Sequence, residues 1–271
     1  MHTEIFANGK SASFCADDRI FLGEGLFETI LIDQQRPCYS SLHWQRMRQA
    51  AILLGISFEV SFDLWSQQLA HCIQQAGIND GGAKVILCGG KAPRGLDVCG
   101  VNSSLIFEAF RFQPNQQAMR LLSAPWRRDA RNPIYQLKSI NYLESILARR
   151  KAIASGADEA LFFNQENYAT ETTVANLFIL KQDQIFTPKL TDGLLAGIIR
   201  DRVIALCQGS GTNCTEISID ASMIVKADAV FVTNALQRIR FVESFDGNEL
   251  PVHHPLVITI ENMLANDEAR W

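Results

Sequence analysis

The spacing of apolar residues along the first hundred positions predicts a mixture of strands and helices. A short strand, EIFANGK at residues 4–10, ends in an Asn-Gly turn, and LFETILID at 26–33 alternates as a second strand. A helix is predicted to begin at Ser40 or Ser41 and to end at Gly55. A second amphipathic helix covers about Phe62 to Ala76, and two strands follow it, in AKVILCGG and SSLIFEAFRF.

The apolar pattern stops at Pro114–Gln117 and restarts at Met119, which predicts a domain boundary. We expect a smaller N-terminal α/β domain at 1–113, a linker at 114–118 and a larger C-terminal domain at 119–271. The second domain is predicted to contain, in order, a strand at 119–123, a helix at 136–152, two strands within 159–180, a hairpin end at 181–188, a helix at 193–208, a strand at 229–236 and a last helix at about 255–266. The fold class predicted is α+β.

Composition narrows the functional class. Charged residues make up 20% of the chain and hydrophobic residues 47%, an ordinary globular balance, and the net charge of −4 gives no reason to expect a nucleic-acid partner. No apolar run is long enough to cross a bilayer, and the N-terminal stretch lacks the apolar core of a secretory signal. The seven cysteines are scattered and never spaced as C-x-x-C, which indicates reduced thiols in a cytoplasmic protein and no metal site.

Lys138 is the first candidate for chemistry. It is predicted to lie at the entrance of the 136–152 helix, where the positive end of the helix dipole disfavours a cation. A lysine flanked by apolar residues and desolvated there can have a lowered pKa, and the neutral amine condenses with carbonyl groups to form Schiff bases. The alternative is a lysine that reaches to solvent or pairs with an acid, and Lys138 alone does not decide between the two.

The order of several motifs favours the first interpretation. The chain reads DDRIFLGEGLFETI, HWQRM, Lys138, GADEALFFN, ATETTVANLF, TPKLTDGLLAGIIRD and VTNALQRIRFV. In this order the motifs resemble the fold-type IV enzymes that use pyridoxal phosphate, namely the branched-chain and D-amino-acid aminotransferases and aminodeoxychorismate lyase. The resemblance extends from about Phe6 to Gly247. It implies a two-domain fold like that of the D-amino-acid aminotransferases, a homodimer and pyridoxal 5′-phosphate as the cofactor.

The resemblance also assigns roles to residues. Lys138 would bind the cofactor covalently and move protons, and Glu171 would face the pyridine nitrogen. The phosphate would be bound by Arg46, by the amides of Ile198 and Ile199 and by Asn234 with the amide of Ala235; Tyr142 would lie near the phenolic oxygen. Relatives often carry threonine at position 199 and a hydroxyl residue at 235, and the tyrosine register differs by one residue. Phe27, Thr29 and Arg94 are the candidate substrate contacts.

Three functions remain possible on this scaffold. D-amino-acid aminotransferases carry an arginine and a histidine after an Arg-Gly turn, but here neither follows Arg94-Gly95, and branched-chain enzymes typically have glycine where this chain has Thr29. We therefore expect aminodeoxychorismate lyase, which removes pyruvate from 4-amino-4-deoxychorismate to give 4-aminobenzoate, a folate precursor. An aminotransferase with a different substrate trap is the alternative. A paralogue that binds the cofactor without turnover is disfavoured, because Lys138, Glu171 and Arg46 are all present.

Overall fold

The computed structural model describes residues 6–7, 10–11 and 18–268, and the contacts divide them into two units. Unit 1 holds the described residues up to Gln113 together with Leu137–Asn141, and unit 2 holds Pro114–Gln136 and the chain from Tyr142 onward. The division therefore groups Lys138 with the N-terminal part of the chain, whereas the sequence places it in the C-terminal domain. The predicted Asn8-Gly9 turn lies outside the described residues.

Unit 1 is a six-stranded sheet covered by two helices. Its elements are β1 (Phe6–Ala7), β2 (Lys10–Ser11), β3 (Gly25–Asp33), β4 (Arg36–Pro37), α1 (Ser40–Leu54), α2 (Phe62–Ala76), β5 (Gly81–Cys88) and β6 (Ser104–Arg111). The strand order is β2-β1-β6-β5-β3-β4, and β3, β5 and β6 pair antiparallel. Both predicted helices are confirmed. Gly55 ends α1 in the left-handed conformation that glycine adopts without steric cost.

The core of unit 1 lies between its sheet and its helices. Trp65 and Leu69 of α2 and Met47 of α1 are fully buried against Ile30 of β3 and Val85 of β5. Trp65 donates its indole N–H to Ser40 Oγ at 3.0 Å, so the large aromatic side chain is buried without an unpaired donor. This packing fixes α1 against β3, and both elements carry candidate site residues.

Unit 2 is built on a nine-stranded sheet. Its elements are β7 (Met119–Arg128), α3 (Leu143–Ala154), β8 (Glu159–Asn164), β9 (Ala169–Thr172), β10 (Asn176–Lys181), β11 (Gln184–Thr187), α4 (Ile198–Ser210), β12 (Cys214–Glu216), α5 (Ala221–Val225), β13 (Ala229–Asn234), β14 (Arg238–Phe245), β15 (Asn248–Glu249) and α6 (Pro255–Glu268). The order is β12-β11-β10-β13-β14-β7-β8-β9, with β15 on β14. Because β9 also pairs with β10, six of these strands close into a ring.

Apolar side chains fill this ring, among them Leu121, Leu161, Leu177, Val232 and Phe245. Outside it, alanines of α3 pack on β7 and β8 with Phe162. The sequence predicts most of these elements, but it does not predict β9, β12, β14, β15 or α5; two strands are expected within 159–180, and the structure has three. Among the described residues, no helix combines the length and the apolar content needed to span a membrane.

Candidate active site

Lys138 lies in an extended segment and not at a helix entrance, so this part of the sequence prediction is wrong. Helix α3 begins five positions later, at Leu143. The backbone of the lysine segment pairs instead with the start of β3: Phe27 N donates to Lys138 O at 2.9 Å, and Ile140 N donates to Gly25 O at 3.1 Å. Because these bonds use the peptide groups that a first helical turn would need, the segment remains extended.

The ammonium group of Lys138 lies on an aromatic ring. Its Nζ is 4.3 Å from the centroid of Phe27, and Nζ of Lys84, on β5, is 5.0 Å from the same ring. Thr29 pairs in register with Lys84, and Phe27 and Thr29 are both half-buried residues on one face of β3. Of the predicted substrate contacts, Phe27 therefore lies beside Lys138. Thr29 shares its face of β3 and lies opposite Lys84, a second lysine that was not predicted from the sequence.

A buried carboxylate lies on the opposite face of the same strand. Glu28 is 1% exposed, and its Oε2 accepts a hydrogen bond at 2.6 Å from Nδ1 of His43. Arg46 donates from Nε to Oε1 at 2.8 Å and from Nη2 to Oε2 at 2.6 Å. His43 and Arg46 are three positions apart on α1, the spacing that places two side chains on the same helix face. The predicted phosphate ligand Arg46 thus binds Glu28 with two of its three nitrogens.

The electrostatics of this cluster follow from its burial. Burial alone would raise the pKa of Glu28, but Arg46 and His43 outweigh it and hold this pKa at about 2. For His43, burial lowers the pKa; the contact with Glu28 opposes this effect, and the positive charges of Arg46 and Lys138 add to it. Near pH 7 the cluster therefore holds an ionised Glu28, a neutral His43 and a charged Arg46.

Replacing Glu28 by glutamine should destabilise the protein in a pH-dependent way. The carboxyl has a lower pKa in the folded chain than its ordinary value of 4.5, so its contribution is complete above about pH 5 and is lost as the pH falls toward 2. The shift corresponds to about 3 kcal/mol of unfolding free energy at pH 7. Denaturant unfolding of E28Q and of the wild type at pH 7 and pH 3 would measure the two differences.

The exposed Glu59 provides the control for this comparison. E59Q should unfold like the wild type at both pH values, because a solvated carboxylate without a buried partner contributes little. A deficit in E28Q that stayed equal at pH 7 and pH 3 would contradict the electrostatic account and would assign the loss to packing.

Arg94, the third predicted substrate contact, is exposed in the loop between Lys91 and Val101. This loop follows the β5 strand that carries Lys84, and it belongs to unit 1.

In unit 2, Glu171 is held by three donors. Its Oε1 accepts from Nη1 of Arg128 at 3.1 Å, and its Oε2 accepts from the amide of Leu195 at 3.2 Å and, more weakly, from Nδ2 of Asn176 at 3.5 Å. Arg128 is itself 3% exposed, and its guanidinium also donates to Glu144 at 3.0 Å and lies over the ring of Phe162. Glu171 is therefore an oriented carboxylate, as its predicted role requires.

Asn176 connects Glu171 to the start of α4. The same Nδ2 group donates to Leu195 O at 2.9 Å, and Oδ1 lies where a side chain of Gly197 would be: a Cβ at that position would be only 1.9 Å away. Gly197 is the N-cap of α4 and supplies no capping side chain, so the amides of Ile198 and Ile199 begin the helix without an acceptor from the cap residue. Amides in this position can bind an anion.

Asn234 and Ala235 lie at the turn between β13 and β14. Oδ1 of Asn234 accepts from the amides of Leu236 at 3.1 Å and Gln237 at 2.8 Å, so this oxygen orders the turn. The side-chain NH2 group is then the part of Asn234 suited to an anion. Tyr142 is the half-buried N-cap residue of α3. The phosphate and ring contacts assigned to these residues, to Ile198 and Ile199 and to Arg46 stay predictions.

Each unit brings together part of the predicted set. Unit 1 contains Lys138, Phe27, Thr29, Arg46 and Arg94, and unit 2 contains Glu171, Tyr142, Ile198, Ile199, Asn234 and Ala235. Several residues that hold these side chains in place were not predicted, namely Glu28, His43, Lys84, Arg128 and Asn176. A signal existed for the first two, because an acid on a strand followed by His-x-x-Arg on a helix is a pattern visible in the sequence.

Comparison with known proteins decides the family. The family model for class IV aminotransferases matches residues 25–245. The chain belongs to the class IV aminotransferase family. The resemblance seen in the sequence is thereby confirmed, and the fold is that of the fold-type IV enzymes. Class IV aminotransferases use pyridoxal phosphate.

Relatives of this class IV chain have different activities. D-alanine aminotransferase of Bacillus licheniformis is 28% identical over 97% of this chain and 96% of its own length. Aminodeoxychorismate lyase of Vibrio harveyi is 25% identical over 88% of this chain and 90% of its own. A Legionella pneumophila structure, provisionally named 4-amino-4-deoxychorismate lyase, is 49% identical with a TM-score of 0.93, over 95% of this chain and 96% of its own. The family therefore leaves the reaction open between lyase and aminotransferase.

The side chains and backbone amides of the candidate site are chemically suited to the aldehyde, the pyridine nitrogen and the phosphate of pyridoxal phosphate. Lys138 supplies an amine next to an apolar ring, which suits an aldehyde carbon. Glu171 supplies an oriented carboxylate for a pyridine nitrogen. The start of α4 supplies backbone amides that receive no side-chain acceptor from the N-cap residue Gly197, and amides at a helix start suit a phosphate group.

Proposed function

We propose that the protein is a pyridoxal-phosphate-dependent 4-amino-4-deoxychorismate lyase. The observation that carries this proposal is the pair of ammonium groups on the Phe27 ring, from Lys138 at 4.3 Å and Lys84 at 5.0 Å. Both products of the lyase, pyruvate and 4-aminobenzoate, are carboxylates, so the substrate carries two. One lysine can then react while Lys84 and the exposed Arg94 supply cations for the two carboxylates.

Two further points support the lyase. The loop after Arg94-Gly95 lacks the arginine and histidine that D-amino-acid aminotransferases use to bind the substrate carboxylate. The 49% identity with the Legionella protein extends over almost the whole of both chains, and it is much higher than the 28% shared with D-alanine aminotransferase.

In this proposal the residues of the chain have defined tasks. When bound, pyridoxal phosphate accepts the electron pair that is left when the carbon bearing the substrate amine loses its proton. Nζ of Lys138 takes that proton and later donates one to the departing enolpyruvate, which becomes pyruvate. The phenyl ring of Phe27 excludes water from Nζ. Glu171 would hold the protonated pyridine nitrogen, and the amides of Ile198 and Ile199 would hold the phosphate.

The experiment that tests the lyase uses purified, cofactor-loaded protein, aminodeoxychorismate and no keto acid. We expect 4-aminobenzoate, followed by its fluorescence, and an equal amount of pyruvate. A lyase needs no amino acceptor, whereas an aminotransferase does. No product from a visibly yellow protein would contradict the lyase.

An aminotransferase is the second candidate, and the match to D-alanine aminotransferase over 97% of this chain favours it. In that case pyruvate would be consumed as an amino acceptor and would not be released. A screen of D- and L-amino acids with a keto acid would detect this activity. Turnover only in the presence of the keto acid would identify it.

We also propose that the protein is a homodimer and that the exposed face of α3 contributes to the contact. Leu143, Ile146, Leu147 and Ile153 of this helix are 42–67% exposed. Their spacing places them along one side of the helix, and an apolar stripe of this kind on a soluble protein marks an interaction surface. A second copy of the chain is the expected occupant, because isologous dimers are the commonest assembly.

Replacing Leu147 by aspartate should shift the protein from dimer to monomer, since the substitution places a charge in an apolar contact. Ile258→Asp is the matched control: it introduces the same charge at an apolar position of α6 with the same 45% exposure. Sedimentation equilibrium of both variants and of the wild type would measure the mass. A dimeric L147D, or an equally dissociated I258D, would contradict the assignment to α3.

A further inference from the structure

The loop between Lys91 and Val101 is exposed but closed at its base. Lys91 N donates to Val101 O at 2.9 Å, and Val101 N donates to Lys91 O at 2.8 Å. Beyond this pair, residues 93–99 are exposed, and they include Arg94 and the apolar Leu96 and Val98. An exposed loop of irregular backbone needs support from outside itself to keep one conformation.

The side chain of Arg19 binds this loop through hydrogen bonds. It begins the short 3-10 helix Arg19–Leu22, and it is only 3% exposed. Its Nη1 donates to Gly95 O at 2.8 Å, and its Nη2 donates to the carbonyl of Val98. A single buried guanidinium thus binds two carbonyls of the exposed segment, one of them the carbonyl of Gly95, the residue that follows Arg94.

The neighbourhood of Arg19 is arranged for this contact. The amide of Arg19 donates to Gly90 O at 2.8 Å, just before the loop begins. At the other end of the loop, a Cβ on Gly100 would lie 2.1 Å from Gly89 O, so the two ends of the loop approach too closely for a side chain. Glu24 lies 3.5 Å from Nε of Arg19, on the side of the guanidinium that makes no contact with the loop. The base is therefore fixed by backbone packing, and the outer part depends on Arg19.

We propose that Arg19 is a positioning residue that holds the Lys91–Val101 loop in the conformation in which Arg94 meets a carboxylate of the substrate. This inference rests on the proposed function, because it takes Arg94 as a substrate contact. The physical reason is pre-organisation: a charged donor that binds two carbonyls in a buried position removes the loop disorder that substrate binding would otherwise have to overcome. The two bonds from Arg19 to the loop involve neither Lys138 nor the residues assigned to the cofactor. Loss of these bonds should therefore weaken substrate binding and leave the chemical step intact.

Arg19→Lys in the cofactor-loaded protein tests this inference. Lysine keeps the charge, but its single ammonium lacks the planar fork that binds two carbonyls at once. We expect faster cleavage by trypsin after Arg94, a KM for aminodeoxychorismate raised about tenfold and a kcat within about twofold of the wild type. The visible absorbance of the bound cofactor should not change. Glu24→Gln is the control, because it removes the acidic neighbour of Arg19 and leaves both loop bonds in place; its KM and its cleavage after Arg94 should match the wild type.

Each outcome has a distinct meaning. Faster cleavage after Arg94 with an unchanged KM would overturn the inference, because the loop would then be ordered by Arg19 without serving the substrate. Faster cleavage at sites throughout unit 1, or a reduced kcat together with weaker cofactor absorbance, would overturn it too, since Arg19 would then support the whole fold of unit 1. A wild-type protein that releases no 4-aminobenzoate would contradict the proposed function itself, and the substrate role of the loop would fall with it.

Discussion

Replacing Lys138 by alanine should abolish turnover and the covalent attachment of the cofactor together. We expect the release of 4-aminobenzoate to fall by at least about a thousandfold, because the same amine binds the cofactor and moves both protons. The yellow colour of the lysine-bound cofactor should be lost as well. Treatment of the wild type with borohydride, followed by peptide mapping, should find the reduced cofactor on the peptide that contains Lys138.

Lys84 provides a demanding control, because its Nζ is 5.0 Å from the same Phe27 ring that Lys138 approaches at 4.3 Å. Lys84→Ala should keep the colour and the borohydride product on Lys138, and it should raise KM because a cation for the substrate carboxylate is lost. If K84A loses the colour and K138A keeps it, the anchor is Lys84, and the assignment by resemblance is wrong.

The proximity of Lys138 and Lys84 also shows which features of the site could be predicted from the sequence and which could not. Strand periodicity places Phe27 and Thr29 on one face of β3 and Glu28 on the other, and the structure agrees. The position of Lys84 requires the pairing register of β3 with β5, where Thr29 lies opposite Lys84. The register between strands that are distant in the chain is set by tertiary packing, so a single sequence does not reveal it.

The wrong helix start at Lys138 has a similar origin. The residues after Gln136 suit a helix, and α3 does form from Leu143. Ser139, however, lies opposite Leu26 in an isolated bridge, and the neighbouring amides bond to the start of β3. A strand that is distant in the sequence can satisfy the backbone hydrogen bonds of a segment and so override its local helix propensity. No local sequence pattern indicates that such a strand will pair with the segment.

The missed strand β14 shows a different limit. Its pairing with β7 shifts register between Val242 and Ser244, so the buried residues Ile239, Val242 and Phe245 are spaced by three and not by two. An irregularity of this kind breaks the alternation by which strands are identified in a sequence. The two long helices of unit 1 and the strands β3, β5, β8 and β10, in contrast, have regular patterns and clear end signals, and they were predicted correctly.

The contacts of Glu171 make this residue the most informative target in unit 2. The role of Glu171 was predicted by resemblance, but its hydrogen-bond partners were not. Buried Arg128 donates to one carboxylate oxygen, and the amide of Leu195 donates to the other. Asn176 then links the carboxylate to the segment that leads into α4. The residue assigned to the pyridine nitrogen and the helix start assigned to the phosphate are thus held by one continuous set of hydrogen bonds within unit 2, as a preorganised site requires.

Replacing Glu171 by glutamine should lower kcat by about a hundredfold while the protein stays folded. The amide has nearly the same shape and can still accept from Leu195 N, but it carries no charge to stabilise a protonated pyridine nitrogen, and the bound ring then accepts electrons less readily. Glu166, exposed in the turn just before β9, gives the matched control, and E166Q should keep full activity. The measurement is kcat for pyruvate release at saturating cofactor, with cofactor affinity measured separately by fluorescence. A kcat for E171Q within twofold of the wild type would contradict the role of this carboxylate, whereas a loss confined to cofactor affinity would limit that role to binding.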